Sequence, residues 1–199
     1  MANRSYLYST NIKPESETVP DGRILHGISE YNYDIPLIFK VLMSGNPTVC
    51  HSSIWNTEEK IALIGDYSSG VEKLKSFLEK IDNPEASQLI NEALEFINRS
   101  ENVQEYFILE CGEIFEMEDE DMEKQATKLI DEIINNTDAE IKRILDKIKA
   151  DGVPAKQSWL SRMIGNKPNE DNKAIQKRLF SLGLGNWSNI LYYNFSDGN

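Results

Sequence analysis

Cysteine and histidine are scarce in this chain of 199 residues, and their positions argue against metal and thiol chemistry. The two cysteines, Cys50 and Cys111, belong to no CxxC pair or Cys/His cluster, so the sequence predicts neither a disulfide framework nor a structural zinc site. Cys50 and His51 are neighbours, and on a strand their side chains would point to opposite faces. They therefore cannot pair as a Cys/His dyad, and we predict no metal and no cofactor.

Long apolar runs are also missing. The first ten residues contain no apolar stretch long enough for the core of a signal peptide, and no segment approaches the roughly 20 apolar residues of a membrane span. The two isolated cysteines fit a reducing compartment. We therefore expect a cytoplasmic protein that does not enter a membrane, with export by a route that needs no N-terminal signal as the open alternative.

The common catalytic motifs are absent as well. The sequence has no GxxxxGK[ST] loop, no GxGxxG, no GxSxG and no HExxH. Residues 66–70 lead from a predicted strand into a predicted helix, where backbone N–H groups could hold an anion, but capping by Ser69 explains the same residues. We predict no catalytic residue, and the sequence favours a protein that is not an enzyme.

What the chain has in excess is negative charge, and this charge is unevenly placed. It has 33 Asp and Glu against 21 Lys and Arg, which gives a net charge of −12. Residues 101–123 hold ten acidic and no basic side chains, whereas residues 142–178 hold ten basic and four acidic ones. A nucleic acid or an anionic membrane would be repelled by the molecule as a whole, whereas a basic protein would be attracted.

Hydrophobic periodicity predicts an α+β fold in one domain over residues 1–199. Strands are predicted at 4–9, 48–55, 60–66, 105–111 and 188–195, and helices at 35–44, 69–81, 84–97, 122–136, 137–151, 158–164 and 172–182. The mixed or antiparallel sheet should have about four to six strands and pack against an αα-hairpin and further helices. Residues 10–34 are predicted to form a long loop, and residues 151–199 a helical tail whose last strand returns to the sheet.

The acidic run that follows the strand at 105–111 is the first candidate site. An EF-hand is excluded because Lys124 stands where the calcium loop needs glycine, and no apolar pocket is evident that would raise one carboxyl pKa for acid/base catalysis. A helix N-terminus explains only about three of the charges. We predict a surface for a basic, toxin-like protein, formed by Glu113, Glu116, Glu118, Asp119, Glu120 and Asp121.

Two other sites stay open at this point. A ligand cleft or active site of unknown reaction could form where Asp66, Tyr67 and Ser68 meet the loop that carries His26. The basic segment 142–178, with Trp159 and Phe180 interleaved, could bind nucleic acid, but solvated helix faces explain the same charges. We expect a monomer or a weak dimer.

The segment Ala-Asn-Arg-Ser-Tyr-Leu-Tyr-Ser at residues 2–9 resembles the opening of a family of bacterial proteins that is known as a domain of unknown function. The order of elements that follows, with a buried helix ending in Ser-Gly, a strand pair and then IGDYSSGVEKLKSFLEKI, is similar to that of the small YfbM-like bacterial proteins. Neither family supplies catalytic residues. By analogy with other small acidic bacterial proteins, the resemblance implies an immunity- or adaptor-like binding protein.

Overall fold

The chain alternates short strands with helices. The computed structural model describes residues 3–14, 22–152 and 170–194. Its strands are β1 (Arg4–Thr10), β2 (Leu25–Asn32), β3 (Thr48–Cys50), β4 (Ala62–Asp66) and β5 (Tyr106–Glu110), and its helices are α1 (Leu37–Met43), α2 (Tyr67–Leu78), α3 (Ser87–Ile97), α4 (Gly112–Phe115), α5 (Met122–Gly152) and α6 (Glu170–Ser181). This arrangement confirms the predicted α+β class.

The five strands form one antiparallel sheet in the order β2-β1-β5-β4-β3. The strand β5 lies at the centre, and β2 and β3 are the edges. In the register of the central strands, Tyr6 of β1 lies opposite Glu110 of β5, which lies opposite Ala62 of β4. Directly opposed residues share a face of the sheet, so this register decides which side chains can meet.

Both faces of the sheet are covered. The helical face carries Leu7, Leu63 and Phe107, which pack in one large core with residues from α1, α2, α3 and α5. The second face carries Tyr6 and Tyr8, which belong to a smaller apolar cluster together with Leu191 from the segment after α6. Because β5 is buried on both sides, its residues are apolar at successive positions, which is the pattern that predicted a buried strand.

The helices α1 and α2 cross with their backbones in close contact. A methyl group added at Gly70 of α2 would overlap the backbone carbonyl oxygen of Leu42 in α1. A second close approach lies nearby, where a Cβ at Gly65 would come within 2.8 Å of the Met43 carbonyl oxygen. Glycine at these positions lets α1 lie directly over the sheet.

The strand β2 was not expected, because it lies within the segment 10–34 that is predicted to be a loop. Gly27 and Asn32 are poor strand formers. Ile28 is an extra residue at a β-bulge, so the alternation of apolar and polar residues is broken. The strand forms through pairing with β1 instead of local preference, and the prediction of a loop over these residues was wrong.

The helix α5 is continuous where the sequence predicts two helices. The expected break rested on Thr137, taken as the N-cap of a new helix. In the structure Thr137 is 2% exposed and lies in the middle of α5, between the buried residues Ile133 and Ile141. The four-residue spacing of these side chains continues one apolar stripe, and burial of that stripe outweighs the local capping signal.

The predicted strand pair at 48–66 forms as β3 and β4, but β3 ends at Cys50. Beyond it, the Ser52 hydroxyl oxygen accepts the N–H groups of Ile54 and Trp55 at 3.0 and 2.9 Å, which turns the chain away from the ladder.

The strand predicted at 188–195 is absent over the described residues 188–194. The chain there meets β2 through a single bridge between Ser29 and Trp187, and Leu191 is buried by packing instead of pairing. The helix predicted at 172–182 is observed as α6, and the one at 158–164 lies outside the described residues.

That residues 1–199 form one domain stays a prediction.

No helix in the described ranges is both long enough and apolar enough to cross a membrane.

We expect Gly70→Ala to lower the free energy of unfolding by about 1–3 kcal/mol, because the added methyl group forces α2 away from α1. The loss should appear even though alanine is the better helix former by about 1 kcal/mol. Urea unfolding followed by circular dichroism measures the change. Ser68→Ala, at an exposed position in the same turn of α2, is the control and should be neutral or stabilising. Equal stability of the two variants would contradict the close packing of α1 on α2.

Candidate functional site

The acidic residues that follow β5 lie in the connection from α4 to α5, where residues 116–121 are all exposed. Two of the predicted partner-binding residues are used at the start of α5. Asp121 caps the helix, since its Oδ1 accepts the Lys124 N–H at 2.9 Å. Glu120 receives the Lys128 ammonium at 2.6 and 2.8 Å. Their charges are therefore partly offset within the molecule.

Glu113 is hydrogen-bonded to the first strand of the sheet. Its Oε2 accepts the backbone N–H of Arg4 at 2.8 Å, and its Oε1 accepts the hydroxyl proton of Tyr6 at 3.0 Å. The Asn3 side-chain amide also donates to the Glu113 carbonyl oxygen at 2.9 Å. These bonds join the beginning of β1 to α4, so Glu113 holds the acidic connection in place and is not a free surface charge.

Glu116, Glu118 and Asp119 are the predicted residues that stay open to solvent. All three are exposed, and none forms an ion pair with another residue in the described part of the chain. Met117 lies among them with 49% of its surface exposed. An exposed thioether surrounded by carboxylates combines an adaptable apolar contact with a strong negative field.

A groove of about 370 Å³ separates this connection from the segment that follows β2. We call it the acidic groove and define it by Tyr33, Asp34, Ile114, Met117, Glu118 and Glu120. Glu132 and Lys128 of α5 also line it, and Glu132 accepts the Lys40 ammonium at 2.7 Å. The groove thus has an apolar floor and a rim in which carboxylates outnumber ammonium groups.

Tyr33 forms the wall of the acidic groove opposite Met117. Its side chain is 60% exposed, and its backbone has φ 61, a left-handed conformation that residues other than glycine rarely adopt. The Tyr33 N–H donates to the Asn3 carbonyl oxygen at 2.7 Å, which fixes this conformation. Tyr33 thus combines an unfavourable backbone conformation with an exposed aromatic ring, and such strain is concentrated at functional sites.

The residues of the alternative cleft do not come together. His26 lies opposite Ser9, which lies opposite Phe107, so the register places His26 on the helical face of the sheet. Asp66 lies opposite Tyr106 and so belongs to the second face. The strands that carry them are three steps apart, a separation of about 14 Å. His26 and Asp66 therefore share no cleft.

Tyr67 and Ser68 are also separated by burial. Tyr67 is buried, its ring stacks on Phe107 with centroids 4.1 Å apart, and its hydroxyl donates to the Ile97 carbonyl oxygen at 2.6 Å. Ser68 faces solvent from α2. Tyr67 thus fills the core beside the sheet where the sequence suggested the wall of a pocket.

The basic segment is described only in part. Lys142 lies on α5 beside a groove of about 380 Å³ that it shares with Lys73 and Lys80 of α2, and Asp138 pairs with Lys73 at 2.9 Å. Trp159 lies outside the described residues. Nucleic-acid binding by this segment stays untested. No group of three or more His, Cys, Asp or Glu side chains in the described ranges is placed to hold a metal ion.

The sequence reasoning missed a buried polar cluster around Glu110 on the second face of the sheet. Glu110 is 1% exposed, and its carboxylate accepts the Ser52 hydroxyl proton and the Ser53 N–H, both at 2.6 Å. The Arg23 guanidinium donates to the Ser53 hydroxyl oxygen. The available signal was the spacing of two from Ile108, which places a glutamate on an otherwise apolar face.

Burial controls the ionisation of this cluster. It raises the pKa of Glu110, and the hydrogen bonds from Ser52 and Ser53 and the charge of Arg23 offset only part of that rise. Burial also lowers the pKa of Arg23 and raises the pKa of the Cys50 thiol, to which the Glu110 charge adds. A thiol held protonated in this way is a poor nucleophile, and the hydrogen bonds to Glu110 stabilise the loop at 51–55.

We expect the free energy of unfolding of the Glu110→Gln variant to increase relative to that of the wild type as the pH rises. A carboxyl whose pKa is raised by folding contributes stability below its unfolded pKa and loses that contribution as the pH rises through the folded value. Glutamine keeps one acceptor oxygen for the Ser53 N–H and carries no charge, whereas Glu110→Ala should cost about 1–3 kcal/mol because two donors lose their acceptor. Urea unfolding between about pH 4 and pH 8 tests this. A difference between wild type and Glu110→Gln that does not change with pH would contradict it.

Residues 11–151 match the family described as a domain of unknown function, DUF7822, which confirms the coarse prediction of such a domain. The segment at 2–9, on which the sequence resemblance rests, lies outside the matched range, and the match shows neither a bacterial origin nor a likeness to YfbM-like proteins. Comparisons with curated proteins and with solved structures found no match. Because the matched range covers more than half of the chain, this protein belongs to the DUF7822 family of domains of unknown function.

Proposed function

We propose that this protein is a non-enzymatic binding protein, immunity- or adaptor-like, that engages a basic protein through the acidic groove. The observation that carries the proposal is the pair of exposed side chains in this groove, Tyr33 and Met117. Met117 lies among Glu116, Glu118 and Asp119, which form no ion pair within the described residues. In this proposal the protein acts in the bacterial cytoplasm as a monomer or weak dimer, and a cationic toxin is one class of partner that fits.

The apolar side chains would supply most of the affinity. Tyrosine is enriched among residues whose truncation weakens protein interfaces, and methionine adapts its shape to different partners. A lysine or arginine of the partner placed over the Tyr33 ring would add a cation–π contact. The Tyr33 backbone is already held by its hydrogen bond to Asn3, so only the side chain has to be ordered when the partner binds.

The carboxylates would act mainly on encounter and specificity. Glu116, Glu118 and Asp119 carry three charges on four successive residues, and the net charge of the whole chain has the same sign. Such a field raises the association rate of a basic partner and repels acidic proteins, and salt screens it.

The positions of three ionisable side chains favour a binding role over a catalytic one. His26 and Asp66 lie on opposite faces of the sheet, and Glu110, whose pKa is raised, is covered by the loop at 51–55. Neither group is presented to a substrate together with a second reactive side chain.

We expect the triple change Glu116→Lys, Glu118→Lys and Asp119→Lys to lower the association rate of the partner by about tenfold or more at low ionic strength. The partner is first captured by crosslinking from an extract of the source cells and purified, and the rates are then measured by surface plasmon resonance over a range of salt concentrations. The salt dependence of association should fall together with the rate, because the screened attraction has been removed.

The matched control carries the same charge change elsewhere, with Glu58→Lys, Glu59→Lys and Glu95→Lys at exposed positions outside the acidic groove. It should keep most of the association rate. A partner that binds both triple variants equally fast would contradict the proposal.

We expect Tyr33→Gly to keep or raise the stability of the protein, by up to about 1 kcal/mol, because glycine removes the left-handed strain. The same change should speed dissociation of the partner by about tenfold or more, because the aromatic anchor is lost. Asn46→Gly is the control, since Asn46 also has a positive φ of 51 and lies outside the acidic groove. Loss of partner affinity in both variants, or in neither, would refute the role of Tyr33.

A further inference from the structure

Among the described residues, the outer edge of β2 is paired over only part of its length. The chain after α6 meets β2 at the bridge between Ser29 and Trp187, where the Ser188 N–H donates to the Ile28 carbonyl oxygen at 3.1 Å. The Ser29 hydroxyl also donates to the Asn186 carbonyl oxygen at 2.8 Å. Further along β2, the segment after α6 turns away from the strand at Gly185, which has φ 115. We call the space between these two segments the fork and define it by residues 30–32 and 180–188.

Backbone groups of β2 point into the fork. Along a strand, successive residues direct their N–H and C=O groups to alternate sides. The Tyr33 N–H donates to Asn3 at the start of β1, so the odd-numbered residues from 29 to 33 bond toward β1. The register is regular over residues 29–32, beyond the bulge at Ile28, so Glu30 and Asn32 direct their backbone groups outward, on the side where the Ile28 carbonyl oxygen accepts the Ser188 N–H.

The fork is a formed groove with a volume of about 660 Å³. Its floor is closed by Tyr31, whose hydroxyl donates to the Ser181 carbonyl oxygen at 3.2 Å. One wall is aromatic, with Phe180 42% exposed and Trp187 half-buried. The ring nitrogen of Trp187 has no hydrogen-bond partner in the described part of the structure. The groove thus offers strand hydrogen bonds on one side and apolar surface on the other.

We propose that the fork binds an extended peptide segment of another protein, which adds to β2 as a short strand. Added antiparallel to β2, the peptide residue opposite Asn32 would donate its N–H to the Asn32 carbonyl oxygen and accept the Asn32 N–H, which extends the antiparallel pairing that the Trp187 bridge begins. A large apolar side chain of the peptide would pack against Phe180.

Charge has little part in this recognition. The Glu30 carboxylate is already occupied, because it lies 3.4 Å from the Arg4 guanidinium and accepts the Tyr192 N–H at 2.8 Å. The occupant is therefore recognised by its extended backbone and one apolar anchor. In this respect the fork differs from the acidic groove, and the two sites can be tested separately.

The test uses a random-peptide phage library selected on the full-length protein, with the enriched peptides synthesised and measured by isothermal titration calorimetry. Asn32→Pro removes only an outward N–H and places the proline ring at the edge, where strands tolerate it. We expect Asn32→Pro to weaken peptide binding by about tenfold or more, because the N–H donor is lost and the proline ring occupies the position of the peptide backbone. Asn32→Ala is the matched control, because each change removes the side-chain acceptor of the Arg4 Nε and only proline removes the N–H.

A second measurement leaves the protein unchanged. Methylation of one peptide nitrogen at a time should abolish binding at the position opposite Asn32 and be tolerated at its two neighbours, whose N–H groups point away from β2. The triple lysine variant of the acidic connection should bind the peptides as the wild type does. The proposal is overturned if no peptide is enriched, if Asn32→Pro and Asn32→Ala bind equally well while both are folded, or if every nitrogen can be methylated without loss.

Discussion

Burial of β5 on both faces is the constraint on which the rest of this fold depends. Phe107 and Leu109 face the helices, whereas Ile108 and Glu110 face the second layer formed by the loop at 51–55 and the chain after α6. A shift of β5 by one residue would turn Phe107 and Leu109 to the second face and would move Glu110 into the helical core, away from its hydrogen-bond donors. The position of β5 therefore fixes where α4 begins, and with it the acidic connection.

Elements with a strong local pattern could be predicted from the sequence. The run Tyr106–Glu110 and the stripes of α2, α3 and α5 are long or regular enough to show their periods. The exceptions share one physical cause, which is that tertiary contacts overrule local signals. Pairing with β1 makes a strand of Leu25–Asn32, and burial in a continuous stripe suppresses the capping signal of Thr137.

The candidate site was predictable only in its charge. The acidic residues are adjacent in the sequence, so their concentration is visible there. The wall opposite them comes from Tyr33, about eighty residues earlier in the chain, and depends on a backbone conformation that no residue pattern announces. The same limit applies to Glu113 and Glu120, whose charges looked free in the sequence and are engaged by Tyr6 and Lys128.

The segment 30–34 is a wall shared by two grooves, since Asn32 lines the fork and Tyr33 and Asp34 line the acidic groove. Consecutive backbone groups there alternate between the edge and β1, so a change in the path of this segment on one side alters the other. Two ligands that each shift this segment would be energetically linked. By thermodynamic reciprocity, whatever factor the first imposes on the affinity of the second, the second imposes on the first. Five residues at the end of one edge strand could thus make two separate contacts cooperative or mutually exclusive.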